Sequence, residues 1–265
     1  MNEQSAVMEQ VVQRHDTDGV AWLTLNRPAA RNALSMALMQ ALMSELAGIA
    51  ADPVVKVVVI GGAGPAFCAG HDLRELRATP ERASYQATFE LCSRLMTAIV
   101  RLPKPVIARV HGIATAAGCQ LVASCDLAVA AETARFATPG VNIGLFCSTP
   151  MVALSRAVGR KAAMEMLLTG ELINASRAYA LGLVNRVVPD AELDPAVAAL
   201  AGPIVAKSPL TLAIGKDAFY RQAEMGLDEA YAYASEVMTR NMLARDAAEG
   251  IDAFLGKRQP VWSAT

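Results

Sequence analysis

The 265-residue chain is expected to fold as an α/β protein that passes into an all-helical C-terminal part. Two observations point there. From about Val20 to Asp190, short β-rich runs alternate with segments of helical period, and beyond Asp190 only the helical period remains. In order, residues 20–26 (VAWLTLN) read as a strand, and a helix follows from Ser35 with Leu38, Leu42, Leu46 and Ile49 along one stripe. Residues 56–62 (KVVVIGG) give the next strand. The pattern repeats through a helix over 82–100, a strand over 105–110, a short helix after Thr115 and a strand over 126–130. In the tail, Pro203 and Pro209 read as breaks and residues 211–220 and 227–242 as long helices. The division expected is therefore 1–190 for the α/β core and 191–265 for the helical region. There is no repeat of 20 to 50 residues and no low-complexity segment.

Composition narrows the function. A net charge of -1 offers nucleic acid no basic footprint. No uninterrupted apolar run approaches the roughly 18 residues of a membrane span. Yet the hydrophobic fraction is 54%, more than a typical soluble monomer carries, so part of the apolar surface is expected between subunits. The five cysteines, Cys68, Cys92, Cys119, Cys125 and Cys147, are odd in number and show no metal-type spacing, which points away from a disulfide framework or a zinc site and toward a reducing compartment. Residues 1–19 carry neither a basic start with an apolar core nor an arginine-rich amphipathic pattern. A cytoplasmic location is the expectation.

Two junctions carry chemistry. GPAFCAGHDL (64–73) and PVIARVHGIATAAGCQLVASCD (105–126) each run from a strand through a turn of small residues into a helix. Small side chains let a ligand approach the backbone, and the first amides of a helix have no internal acceptor. Brought together, two such turns would converge on a carbonyl oxygen as it gains negative charge. Thioester or enolate chemistry follows from that geometry.

Four motifs in order, LNRPAARNALS (25–35), the two turns, and FATPGVNIGL (136–145) with the segment 157–189 after it, resemble the crotonase (enoyl-CoA hydratase/isomerase) superfamily over nearly the whole chain. The stretches TAAGCQLVASCD and FATPGVNIGLFCSTP are most similar to the subgroup of enoyl-CoA hydratase domain-containing protein 3. The resemblance implies a crotonase-like spiral of ββα units with a C-terminal helical trimerisation region, assembled as a homotrimer or a dimer of trimers. It implies acyl-CoA substrates, with coenzyme A entering as part of the substrate and no separate cofactor. The oxyanion-hole donors would be the backbone N–H groups of His71 and Ala117. CoA and acyl group would lie along Ala30, Arg31, Ala69, Asp72, Leu73, Gly118 and Cys147, and Phe254 and Lys257 would reach a phosphate from a neighbouring subunit.

One departure changes the chemistry. Where the family's hydratases place two glutamates around the reacting water, this chain has Gln120 and Gly140. A carboxamide orients a water but accepts no proton near neutral pH, and glycine has no side chain to offer. Loss of general acid/base work leaves hydration slower by about 10²–10⁴-fold, while enolate stabilisation remains. Restoring both acids, Gln120→Glu with Gly140→Glu, is expected to raise hydration.

The alternatives are decarboxylation of a malonyl-type thioester, thioester hydrolysis, a non-catalytic acyl-CoA binding or regulatory role, and a scaffold. Individual side chains also stay open. The His71 imidazole either contacts substrate or CoA or faces solvent at the helix start. Cys147 and Ser148 either act as nucleophile or donor or simply pack, and His111 either nears the pocket or is structural. Cys119 and Cys125 read as core residues, and Asp126 as a strand-start or cap acid.

Overall fold

The computed structural model describes residues 10–265. Residues 1–9, on which the reading of the N-terminus partly rests, lie outside the described part. Strands β1 (Val12–Thr17) and β2 (Val20–Leu25) form an antiparallel hairpin, and α1 (Met36–Ala51) follows. Ser35 caps α1, its hydroxyl accepting from the Leu38 amide at 3.2 Å. The predicted stripe of Leu38, Leu42, Leu46 and Ile49 is buried.

From there the chain winds as strand pairs followed by helices. The first turn holds β3 (Val57–Gly62), β4 (Ala66–Cys68), α2 (Leu73–Ala78) and α3 (Arg82–Arg101). The second holds β5 (Val106–Val110), β6 (Ile113–Thr115) and α4 (Ala117–Ser124). The third holds β7 (Leu127–Ala131), β8 (Arg135–Ala137), α5 (Ser148–Ala157) and α6 (Arg160–Thr169). Short β9 (Ile173–Asn174), α7 (Ala175–Leu181) and β10 (Arg186–Val188) close it. One strand of each pair joins a six-stranded sheet ordered β1-β2-β3-β5-β7-β10, and the other a four-stranded sheet ordered β4-β6-β8-β9. This is the crotonase-type ββα spiral expected from the sequence.

Alternation along the central strands explains why they are largely apolar on both faces. Val58, Ile60, Ala108 and Ala130 point into the main core with α1 and α3, whereas Val57, Val59, Ile107 and Val129 point to the other face. That second face is covered by α8 (Leu193–Val205) through Leu193, Val197 and Ala201. The boundary at 190 thus parts strands from helices without parting two cores, because α8 belongs to the sheet. Pro203, expected as a break, lies inside α8. It sits in the last turn, where the hydrogen bond it removes is close to the helix end.

The remaining helices are α9 (Pro209–Gln222), α10 (Leu227–Met242) and α11 (Arg245–Leu255). Pro209 is the break expected, and it occupies the first turn of α9 behind the Ser208 cap. Among the described residues no single helix is long and apolar enough to cross a membrane.

Candidate active site

The loop before α1 and the turn after β4 are stitched together by backbone. The Ala69 amide donates to Arg31 O at 3.0 Å, the Leu34 amide to Gly70 O at 2.7 Å, and the Asp72 amide to Leu34 O at 3.2 Å. Leu34 thus bonds to the residues on either side of His71, so the His71 N–H and C=O point the opposite way. Asn32, fully buried at φ 54°, holds the loop by donating to Ala63 O and Ala66 O and accepting from the Arg27 amide. Ala30, Arg31, Ala69, His71, Asp72 and Leu73 are therefore gathered in one place.

Asp72 has structural duties there. Its carboxylate caps α2 by accepting from the Arg74 and Glu75 amides and takes the Arg27 guanidinium at 2.9 Å. Burial acts to raise its pKa, but Arg27 and the two amides outweigh it and hold the group below the ordinary value.

The second turn presses against the first. A methyl group on Gly70 would lie 2.9 Å from Ala116 Cβ and 3.5 Å from the Ala117 nitrogen, and the Thr115 hydroxyl donates to Ala69 O at 3.1 Å. Gly118 lets α4 close on β4: a Cβ there would stand 2.9 Å from Cys68 Cβ and collide with the Cys68 carbonyl. Ala116 adopts φ 49°, ψ −117°, a conformation that costs a non-glycine residue about 1–3 kcal/mol and that places the Ala117 amide first in α4 without an intrahelical acceptor. The residue before His71 thus packs against the start of α4 at Ala116 and Ala117.

Beside them stand neutral groups. Gln120 is 4% exposed. Its carbonyl oxygen accepts from the Cys92 thiol at 3.9 Å, and among the described residues its amide nitrogen has no acceptor. The His71 ring packs edge-on against Phe89 with centroids 5.3 Å apart, and its Nε2 is buried without a partner. Desolvation pushes the imidazole pKa down to about 4. Gly140 is buried, and the space a side chain would need is taken by the following turn: its Cβ would lie 2.6 Å from Leu145 O and 2.9 Å from Cys147 Sγ. The Leu145 amide closes that turn onto Gly140 O at 2.9 Å.

All five cysteines are buried and unpaired. Burial pushes Cys68, Cys92 and Cys119 up to about 12 and Cys147 upward as well, the Gly140 amide opposing it at Cys147. Cys147 is thus a neutral thiol wedged against Gly140, the opposite of an activated nucleophile. The Ser148 hydroxyl turns to Phe146 O. His111 bonds Gly64 O at 2.9 Å, and Asp126 fastens the Val106 amide, Lys216 and Tyr220; both work as structural residues. Phe254 is 82% exposed and Lys257 is also exposed. Both lie at the end of α11, which packs mainly on α9 and α10, so the single chain does not bring them to the two turns.

Three contributors escaped the sequence. Phe89 and Cys92 read only as helix residues, yet they back the His71 ring and the Gln120 amide. Thr138, fully buried with an unpartnered hydroxyl, follows β8 next to Ala137, whose carbonyl accepts from the Ala116 amide at 2.9 Å. No local pattern marks any of them.

Residues 15–265 match the family model of enoyl-CoA hydratase/isomerase. The chain belongs to this family. Among curated relatives, the rat mitochondrial enoyl-CoA hydratase domain-containing protein 3 is 48% identical over 246 residues, 93% of this chain and 82% of the relative. The crystal structure of the human protein of the same name superposes with a TM-score of 0.92 at 48% identity, covering 95% of this chain and all of that one. An enoyl-CoA hydratase structure from Mycobacterium smegmatis gives 0.93 at 56% identity, covering 96% and 99%. These findings correct the cytoplasmic expectation, because the rat, frog, mouse and human relatives are all named as mitochondrial proteins.

Proposed function

We propose that this chain binds acyl-CoA thioesters and stabilises their enolate form, with the amides of His71 and Ala117 receiving the thioester oxygen. The contact of Gly70 with Ala116 and Ala117 carries the proposal, because it packs the turn that holds His71 against the turn that opens α4. Such donors act on charge as it develops and need no reorganisation during reaction. CoA would run along Ala30, Arg31, Ala69 and Leu73, beside the Asp72 cap, with the acyl chain passing Gly118, Gln120 and Cys147.

Ordinary hydration of an enoyl-CoA is expected to be slow. The carboxamide of Gln120 and the filled space at Gly140 leave no carboxylate to take a proton from water. Exposed apolar side chains on α9, α10 and α11 support assembly as a trimer or a dimer of trimers, in which Phe254 and Lys257 would serve a neighbour's CoA. The test is direct. Crotonyl-CoA should lose its conjugated absorbance about 10²–10⁴-fold more slowly than with a two-glutamate hydratase, while butyryl-CoA should raise the melting temperature and butyrate should not. Hydration at ordinary rates, or no stabilisation by the thioester, refutes the proposal.

A further inference from the structure

On α3, Phe89 and Cys92 are three residues apart, about 4.5 Å of helix rise on one face. Phe89 touches the His71 ring and Cys92 touches the Gln120 amide, so one helix face backs both the imidazole and the carboxamide. Each has an unspent hydrogen-bonding atom. His71 Nε2 is shielded and unpartnered, and the Gln120 oxygen is occupied by the Cys92 thiol, leaving its NH₂ to donate. A buried polar atom without a partner is unfavourable, and a ligand atom that satisfies it removes the penalty.

The wall is also uncharged. Among the described residues no lysine or arginine bonds to either group, and Arg27 is committed to Asp72 and Ala33 O. With its pKa at about 4 the imidazole is neutral at physiological pH. A carboxylate seated here would be desolvated with no cation beside it. A carbonyl oxygen, in contrast, can accept from both donors when the imidazole carries its proton on Nε2.

We infer that the His71 imidazole and the Gln120 amide form a specificity wall that selects acyl-CoA thioesters bearing an uncharged oxygen at the third carbon, as in a 3-oxoacyl-CoA, over both plain and carboxylated chains. The inference rests on the acyl-CoA reading proposed above. It is tested by calorimetric titration of the full chain with acetoacetyl-CoA, butyryl-CoA and malonyl-CoA. Acetoacetyl-CoA should bind about five- to tenfold more tightly than butyryl-CoA, the effect of one or two net hydrogen bonds, and malonyl-CoA should not exceed butyryl-CoA. His71→Phe and, independently, Gln120→Met should each bring the acetoacetyl-to-butyryl ratio toward one. Equal affinities in the unsubstituted protein, a ratio unchanged in both variants, or malonyl-CoA binding most tightly would overturn the inference. If none of the three thioesters bound, the acyl-CoA reading itself would fall.

Discussion

Position 140 shows why replacing one residue does not restore a mechanism. The sequence invited the pair Gln120→Glu with Gly140→Glu as a way to recover hydration. In the fold, the first carbon of any side chain at 140 meets Leu145 O and Cys147 Sγ inside normal contact distance. Gly140→Ala should therefore lower stability by about 1–3 kcal/mol, as overpacking does, and the double glutamate variant should melt lower without gaining hydratase activity. Calorimetric melting and the crotonyl-CoA absorbance assay check both outcomes. His71 makes a second prediction. Its folded pKa of about 4 lies below the ordinary 6.5, so between those values the unfolded chain binds more protons and stability falls as pH falls. Denaturant unfolding at pH 7 and pH 5 should show a loss of about 2 kcal/mol from this group, absent in His71→Phe. The motif suggested His71 as a backbone donor. It did not reveal the stranded Nε2, which depends on Phe89 from a distant helix.

Among the elements, α9 is secured by a buried polar node. Lys216 Nζ donates to Asp126 Oδ2 at 2.6 Å and to the carbonyls of Ile99 and Lys104, and Tyr220 donates to Asp126 Oδ1 at 2.9 Å. Burial pulls the Lys216 pKa down while Asp126 opposes it. Removing one partner strands the other, so Asp126→Ala should cost about 3–5 kcal/mol, whereas Tyr220→Phe, which deletes one hydrogen bond, should cost about 1 kcal/mol. Paired denaturant titrations measure the difference; equal effects would mean that the ion pair adds nothing. The sequence suggested Asp126 as a cap or strand-start acid but could not name partners some ninety residues away. The same distinction governs which strands were legible. The central strands β2, β3, β5 and β7 are apolar on both faces and stand out. β1, with the sequence VQRHDT, is an edge strand with an exposed polar face, and the strands of the second sheet are two or three residues long, too short for any period to register.

For the molecule as a whole, the apolar content read from the composition is only partly absorbed by the two cores. Phe219, Leu227, Tyr231, Leu243, Phe254 and Leu255 on and beside α9, α10 and α11 remain exposed, Leu243 at 83%. An isolated chain that leaves so many large apolar side chains in water invites association. Light scattering should accordingly return three or six times the mass of the chain. Leu243→Glu should shift that mass downward, since a carboxylate buried at a contact without a partner is unfavourable. The same assembly should be felt at the site. Phe254 lies away from its own chain's turns, so Phe254→Ala weakens CoA thioester binding only if a neighbour presents the ring. Comparing free CoA with a short acyl-pantetheine separates the effects: the variant should lose affinity for the CoA thioester and keep it for the truncated one. Equal losses for both ligands would place Phe254 in general packing, and a monomeric mass with normal CoA thioester binding would show that the site needs no second chain.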